Sequence, residues 1–317
     1  MNTLALNAAL GLLSVLQVMG QSPIILPFEM AGQLIVIQAE VDGVSGNFIL
    51  DTGVDYLLLN ERFFKGESYS GSFRHLFGES VVKTRSSEVK IDGFRIAPVQ
   101  SLILDLSAIE RDKDIILHGL LGTHLLRKFE VLVNRVDQEV ILFPVNHKGS
   151  ASHQYSLPPD DTLSFGLNGH LPVLPVTIGG KHLWFGMDTG AEIGMVCRRN
   201  SKKLFDGLEM QEQVIQIVSF DGKYIPRPLY HFHSVEIDGW DCPDLKAVLV
   251  SLKEYNERLR GRWIDGIIGL SVFGSRSFAI NLKKRHIYLW ETRLRKETPL
   301  AKIFFRQVPL SRSAKDY

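Results

Sequence analysis

Phe48-Ile49-Leu50-Asp51-Thr52-Gly53 decides the reading of this chain, because an acid closes an apolar run that otherwise reads as a strand. The pattern occurs twice. Leu183-Trp184-Phe185-Gly186-Met187-Asp188-Thr189-Gly190 repeats the apolar lead, the acid, the hydroxyl and the glycine 137 positions later, and another apolar segment follows each copy. One such Asp is read equally well as a capped turn; two in matched settings point to a dyad. Two carboxylates held at hydrogen-bonding distance cannot both ionise cheaply, so they share one proton. The pair can then take a proton from water while giving one to a carbonyl oxygen or a leaving amine.

Upstream of each acid the layout is the same. Residues 34–41 are apolar and rich in β-branched side chains, Asp42-Gly43 is a hairpin signal, and 46–50 return to Asp51. In the second copy 171–178 form the strand, Gly179-Gly180 turn it, and 182–187 lead back to Asp188. Pro172 and Pro175 predict an edge or bulged strand there, since proline cannot donate to a ladder.

Downstream, short strands at 56–60 and 194–197 precede polar stretches. The turns Ile91-Asp92-Gly93-Phe94 and Ile237-Asp238-Gly239-Trp240 then match at an offset of 146, each leading into an apolar strand, 101–106 and 247–252. The charged segments 107–114 and 253–262 read as short helices or loops with a solvated face. Gly119-Leu120-Leu121-Gly122 and Gly266-Ile267-Ile268-Gly269 match next, and 129–134 pair in pattern with 277–281 at an offset of 147. The drift from 137 to 147 places about ten extra residues in the middle of the second copy, where loops tolerate insertion. A period near 140 describes a duplicated domain rather than a solenoid.

A chain of 317 residues, 45% hydrophobic and 22% charged, is long enough for two cores. Thirty-six basic against thirty-five acidic residues leave a net charge of +1, without the excess that would neutralise nucleic-acid phosphates. Cys197 and Cys242 are the two cysteines, so no disulfide framework holds the fold, and buried thiols are the simpler reading of both. Among ten histidines only His231 and His233 are placed on one face of a strand, and two ligands do not make a zinc site. No metal or cofactor is expected. Residues 4–18 are apolar and Val18-Met19-Gly20 precedes Gln21, which predicts a signal peptide over 1–20, without a basic n-region, and a periplasmic or secreted protein. An uncleaved segment would act instead as a short N-terminal anchor. The lobes are expected at 21–148 and 149–300, with a basic tail at 301–317.

The paired Asp-Thr-Gly motifs, each followed by the aliphatic-aliphatic-Gly element, resemble the aspartic proteases; the run Gly122-Thr123-His124-Leu125-Leu126-Arg127-Lys128-Phe129-Glu130 is similar to bacterial retropepsin-like proteins. The likeness extends over 32–290. It implies an all-β, bilobal, pepsin/retropepsin-like fold with a β-barrel-like lobe carrying each acid. By the same resemblance Asp51 and Asp188 are the catalytic, water-holding acids, and Thr52 and Thr189 bond across the lobe junction. Gly53 and Gly190 let the two loops approach, and the aliphatic-Gly element passes behind them. The implied activity is that of an aspartic endopeptidase acting on a peptide or protein, as a monomer. The alternative is a peptide-binding protein that keeps the fold without cleaving.

Two departures matter. Val54 and Ala191 stand where pepsin-like enzymes carry a hydroxyl, which removes a donor to the charged carboxylate and predicts a mildly acidic to near-neutral pH window. Candidate flap tips are Phe77-Gly78-Glu79 and Phe220-Asp221-Gly222, neither offering an aromatic placed like the pepsin flap tyrosine.

Overall fold

The computed structural model describes residues 22–69, 82–151, 153, 155, 157–204, 208–218, 223–243, 245–258 and 261–291. The expected signal at 1–20, the tail at 301–317 and both flap tips lie outside the described residues.

Among the described residues ten strands make up the first half: β1 Ile24–Ala31, β2 Leu34–Val41, β3 Val44–Leu50, β4 Leu57–Asn60, β5 Glu67–Tyr69, β6 Val82–Ile91, β7 Phe94–Leu104, β8 Gly119–Leu121, β9 Phe129–Asn134 and β10 Glu139–Pro144. Helix α1, Ser107–Lys113, follows β7, and the single turn α2, Thr123–Leu126, follows β8. The second half holds β11 Asp161–Ser164, β12 Gly166–Asn168, β13 Leu171–Ile178, β14 Lys181–Met187, β15 Gly194–Cys197, β16 Leu208–Val218, β17 Tyr224–Phe232, β18 Val235–Ile237, β19 Trp240–Cys242, β20 Leu245–Val250, α3 Lys253–Arg258, β21 Gly266–Ile268, β22 Ser277–Asn281 and β23 His286–Trp290. The architecture is all-β and bilobal, as the resemblance implies.

In the first lobe β2, β3, β8, β4, β7 and β6 are neighbours in that order, and β6 returns to β2 through Glu40 opposite Lys90, closing a six-stranded barrel. Tight hairpins set the registers. Asp42-Gly43, Asp92-Gly93, Gly179-Gly180 and Asp238-Gly239 all have positive φ at both positions, the backbone of a two-residue turn whose twist matches its strands. In the second lobe β13, β14, β21, β15 and β20 follow the same path, with β18 against β13 and β17 against β20.

Strand β13 is not an edge, contrary to the reading of its prolines. It has β14 on one side, and on the other β12 as far as Val173 and β18 from Val176. Pro175 therefore falls where the strand changes neighbours, a point at which no ladder N–H is demanded. Pro172 faces β12 alone, since pairing with β14 begins at Val173.

Six strands, in the order β11, β23, β22, β9, β10, β1, run beneath both lobes and join them. At its centre β9 and β22 pair antiparallel with Leu132 opposite Ala279, and these residues are also 147 apart. Equivalent positions therefore meet on an axis of approximate twofold symmetry. Both are fully buried, under Trp290, Phe143 and Ile141. Each lobe also has a small apolar cluster of its own. Leu34, Val36, Leu58, Leu106, Leu117 and Leu120 form one, and Leu171, Val173, Leu252, Ile264 and Ile267, with Met195 packed against them, form its counterpart.

The charged segments are not simply solvated faces. Ala108 of α1 is buried, and Asn256 of α3 is buried with its side chain bonded to both the N–H and the C=O of Ile264. Cys197 and Cys242 are buried and are not joined by a disulfide.

Candidate active site

Each acid stands at the end of a buried strand, β3 or β14, and is held there by the strand running parallel to it. The Asp51 N–H donates to Leu121 O at 3.1 Å, and the Asp188 N–H to Ile268 O at 3.0 Å. The glycines after β8 and β21 are needed at these crossings. A Cβ on Gly122 would strike Tyr56 O, and one on Gly269 would lie 2.5 Å from Ala191 O.

The two loops then interlock. The Thr52 N–H donates to Thr189 Oγ1 and the Thr189 N–H to Thr52 Oγ1, both at 3.0 Å. In turn Thr52 Oγ1 donates to Met187 O at 3.0 Å, and Thr189 Oγ1 to Leu50 O at 2.7 Å. Three polar groups on each side, an N–H, a hydroxyl and a carbonyl, are satisfied by these four buried bonds, which makes the exchange costly to break.

Gly53 and Gly190 turn the acids toward each other. The Gly53 N–H donates to Asp51 Oδ1 at 2.7 Å and the Gly190 N–H to Asp188 Oδ1 at 2.8 Å. A Cβ on Gly53 would fall on the Asp188 carboxylate and a Cβ on Gly190 on that of Asp51, so no other residue fits at either place. All six residues expected from the sequence are thus brought into one constellation, with Asp51 and Thr52 buried and Asp188 half-buried.

Burial raises Asp51 well above the ordinary carboxylate range, with the negative charge of Asp188 adding to it, while the Gly53 N–H pulls the other way. Asp188 is raised as well, again by burial first, against the Gly190 N–H and its hydrogen bond with Asp51. Like charges this close share a proton, so the two titrate as a unit.

Three further residues at the site carried no signal in the sequence. The His170 Nε2–H donates to Gly53 O at 2.9 Å from the turn between β12 and β13. Glu192 reaches the first lobe, accepting from the Gln33 N–H at 2.7 Å and pairing with Lys113 of α1. Tyr255 of α3 lies close enough for the charges of Asp188 and Asp51 to help raise its phenol. By offset each aligns with a different residue, His170 with Gln33, Glu192 with Asp55 and Tyr255 with Ile109, so the repeat does not single them out.

A cavity of about 650 Å³ opens between the lobes beside Asp51. Its wall combines Leu34, Ile49, Ile109 and Leu120 of the first lobe with Gly190, Ala191 and Ile215–Ile217 of the second.

The acid pair thus lies beside an interlobe cleft and is flanked by reciprocally bonded threonines. Residues 174–272 match a family model described as aspartyl protease. The matched stretch begins in β13 and ends after β21, and so includes Asp188-Thr189-Gly190 and α3. It supports an aspartyl protease family for the chain, and with it a protease function in general terms. A comparison with curated proteins returned no match. Among the described residues no group of three His, Cys, Asp or Glu side chains is placed to hold a metal ion, and His231 and His233 stand as a pair with ring centroids 4.6 Å apart. No described helix is long and apolar enough to cross a membrane.

Proposed function

We propose that the protein is an aspartic-type endopeptidase in which Asp51 and Asp188 share one proton and activate a water molecule between them. The ionised carboxylate removes a proton from that water as its oxygen attacks the scissile carbonyl. The protonated carboxyl gives its proton to the carbonyl oxygen. The resulting gem-diol collapses as a carboxyl proton passes to the leaving nitrogen and the C–N bond breaks. Carboxylic acid and amine leave, the dyad regains its single proton, and no covalent enzyme intermediate is formed.

The observation that carries this reading is the mutual approach of two carboxyls, both raised by burial, at the base of the cleft. The threonine exchange and the two glycines serve geometry: they fix the acids at hydrogen-bonding distance before substrate arrives, so that little reorganisation is left for the reaction. Both acids come from one chain, so a monomer suffices. The apolar segment at 4–18 adds export to the proposal, with substrates outside the cytosol.

The test is incubation with a mixed peptide library in ¹⁸O-labelled water. Internal cleavage, one ¹⁸O in each new carboxyl and inhibition by a statine-type transition-state analogue are the expected results. Absence of cleavage across pH 3 to 8, or cleavage indifferent to the analogue, would refute the assignment.

A further inference from the structure

The apolar part of the first-lobe wall of the cavity beside Asp51 is Leu34, Ile49, Ile109 and Leu120, with Gln33, Asp112 and Lys113 also lining it. The offsets that relate the two halves carry these onto Leu171, Gly186, Tyr255 and Ile267. Packing agrees with the arithmetic. Ile49, Leu34 and Leu120 form one cluster with Ile109 against it, and Leu171 and Ile267 form the counterpart with Tyr255 against it. Tyr255 thus holds on the Asp188 side the place that Ile109 holds on the Asp51 side, each three residues after a buried leucine, Leu106 or Leu252.

Two differences decide what the sides accept. Gly186 in place of Ile49 removes a side chain, yet no room results: a Cβ there would lie 2.5 Å from Cδ2 of Leu171 and 3.4 Å from Cδ1 of Ile264. Tyr255 in place of Ile109 adds a ring. Its phenol is raised by burial and then by the charges of Asp188 and Asp51, which agrees with a ring packed in beside the acids.

We infer that the cleft is one-sided: the Asp51 side takes a large aliphatic side chain, and Tyr255 fills the corresponding space on the Asp188 side, leaving room there for a small residue. This rests on the peptidase reading and adds to it the class of peptide selected, one with a branched aliphatic residue on one side of the scissile bond and Gly, Ala or Ser on the other. A pocket closed by a fixed ring rejects by overlap, whereas a missing methylene costs affinity only modestly, so the small side is the more stringent of the two.

The experiment is cleavage-site profiling by mass spectrometry with the full chain, the wild type beside Tyr255→Ala and Ile109→Tyr. Wild type is expected to cut between an aliphatic and a small residue. Tyr255→Ala is expected to admit Leu or Phe on the small side at least about tenfold better, leaving the aliphatic side unchanged. Ile109→Tyr, which installs the mirror-image block, is expected to narrow the aliphatic side. Large residues accepted on both sides by wild type, or an unchanged profile in a Tyr255→Ala protein with wild-type circular dichroism, would overturn the inference. If wild type cuts nothing, the hydrolytic reading fails separately. Calorimetric binding of reduced-amide peptides then decides the pocket question, with equal affinity for Leu-Ala and Leu-Leu pairs as the contrary result.

Discussion

Thr52 and Thr189 hold each other's backbone: each hydroxyl accepts the other's N–H at 3.0 Å while donating to a carbonyl of the opposite loop. Four hydrogen bonds therefore join the lobes at the point where their acids meet, in addition to the sheet beneath them. Thr52→Val keeps the shape but leaves the Thr189 N–H and the Met187 carbonyl buried without partners, and is expected to cost about 3 kcal/mol. Thr52→Ser is expected to stay within about 1 kcal/mol of wild type. Urea midpoints at constant m-value measure both. A Thr52→Val protein as stable as wild type would show that the exchange contributes nothing to holding the lobes.

The dyad gives stability an unusual pH dependence. Because both carboxyls are raised in the folded protein, their neutral forms are favoured by folding. That contribution is fully present below the unfolded value near about pH 3.9 and is lost as pH rises through the raised folded values. Asp51→Asn removes the buried charge and is expected to flatten this slope, so that the variant is at least as stable as wild type at pH 7. Thermal unfolding of both proteins between pH 4 and 8 checks it; a variant less stable than wild type at neutral pH is the contrary outcome.

Glu130 works in the opposite sense. Burial pushes it up, but contacts with His153, Asn281 and Tyr155 outweigh burial and hold it below the usual range. Its Oε2 accepts from Asn281 Nδ2 at 2.6 Å across the central strand pair, and its Oε1 accepts from the Tyr155 hydroxyl at 2.5 Å. Stability from this depressed carboxyl is present above about pH 4.3 and is lost as pH falls through its folded value. Glu130→Ala is expected to destabilise by about 3 kcal/mol at pH 7 and to lose most of that deficit at strongly acid pH. A deficit unchanged by pH would assign the cost to packing alone.

Much of this arrangement was legible because the chain states it twice. Asp-Thr-Gly, the Asp-Gly and Gly-Gly turns, and the Gly-aliphatic-aliphatic-Gly element answer backbone demands that few other residues meet, so they occur in both halves and can be aligned by offset. The match starts earlier than those motifs: Leu26 and Phe28 of β1 are buried like Leu163 and Phe165 at an offset of 137. Only that alternation is retained there, because β11 and β12 divide what β1 does as one strand, pairing with β23 and then β13. His170, Glu192 and Tyr255 were not legible, since each acts through a neighbour in the other lobe or on a helix placed by tertiary packing. Pro175 misled for a related reason. A strand's neighbours can change along its length, and nothing local to 171–178 announces where.

Glu192 also ties the Asp188 loop to α1. Its carboxylate takes the Gln33 N–H and the Lys113 ammonium, and all three residues line the cavity. Its counterpart by offset, Asp55, bonds within its own lobe to Thr123 Oγ1 at 3.1 Å, whereas Leu270 replaces that hydroxyl beside Glu192. Glu192→Gln is expected to weaken the lobe contact by about 1 kcal/mol and to raise KM more than it lowers kcat. Steady-state kinetics on one defined peptide separates the two, and an unchanged KM with kcat lost would place Glu192 in the chemistry instead.

The central claim is that Asp51 and Asp188 act as one proton-sharing unit, and kcat/KM of wild type, Asp51→Asn, Asp188→Asn and the double variant on one peptide tests it most directly. Each single substitution is expected to lower kcat/KM by about 10³-fold or more with folding intact, and the double to be little worse than either, because members of a unit are not additive. Wild type is expected to follow a bell-shaped profile set by two apparent values belonging to the pair, in the mildly acidic to near-neutral range. Either single variant retaining most of the wild-type rate, or a double variant whose loss is the product of the two single losses, would contradict the account.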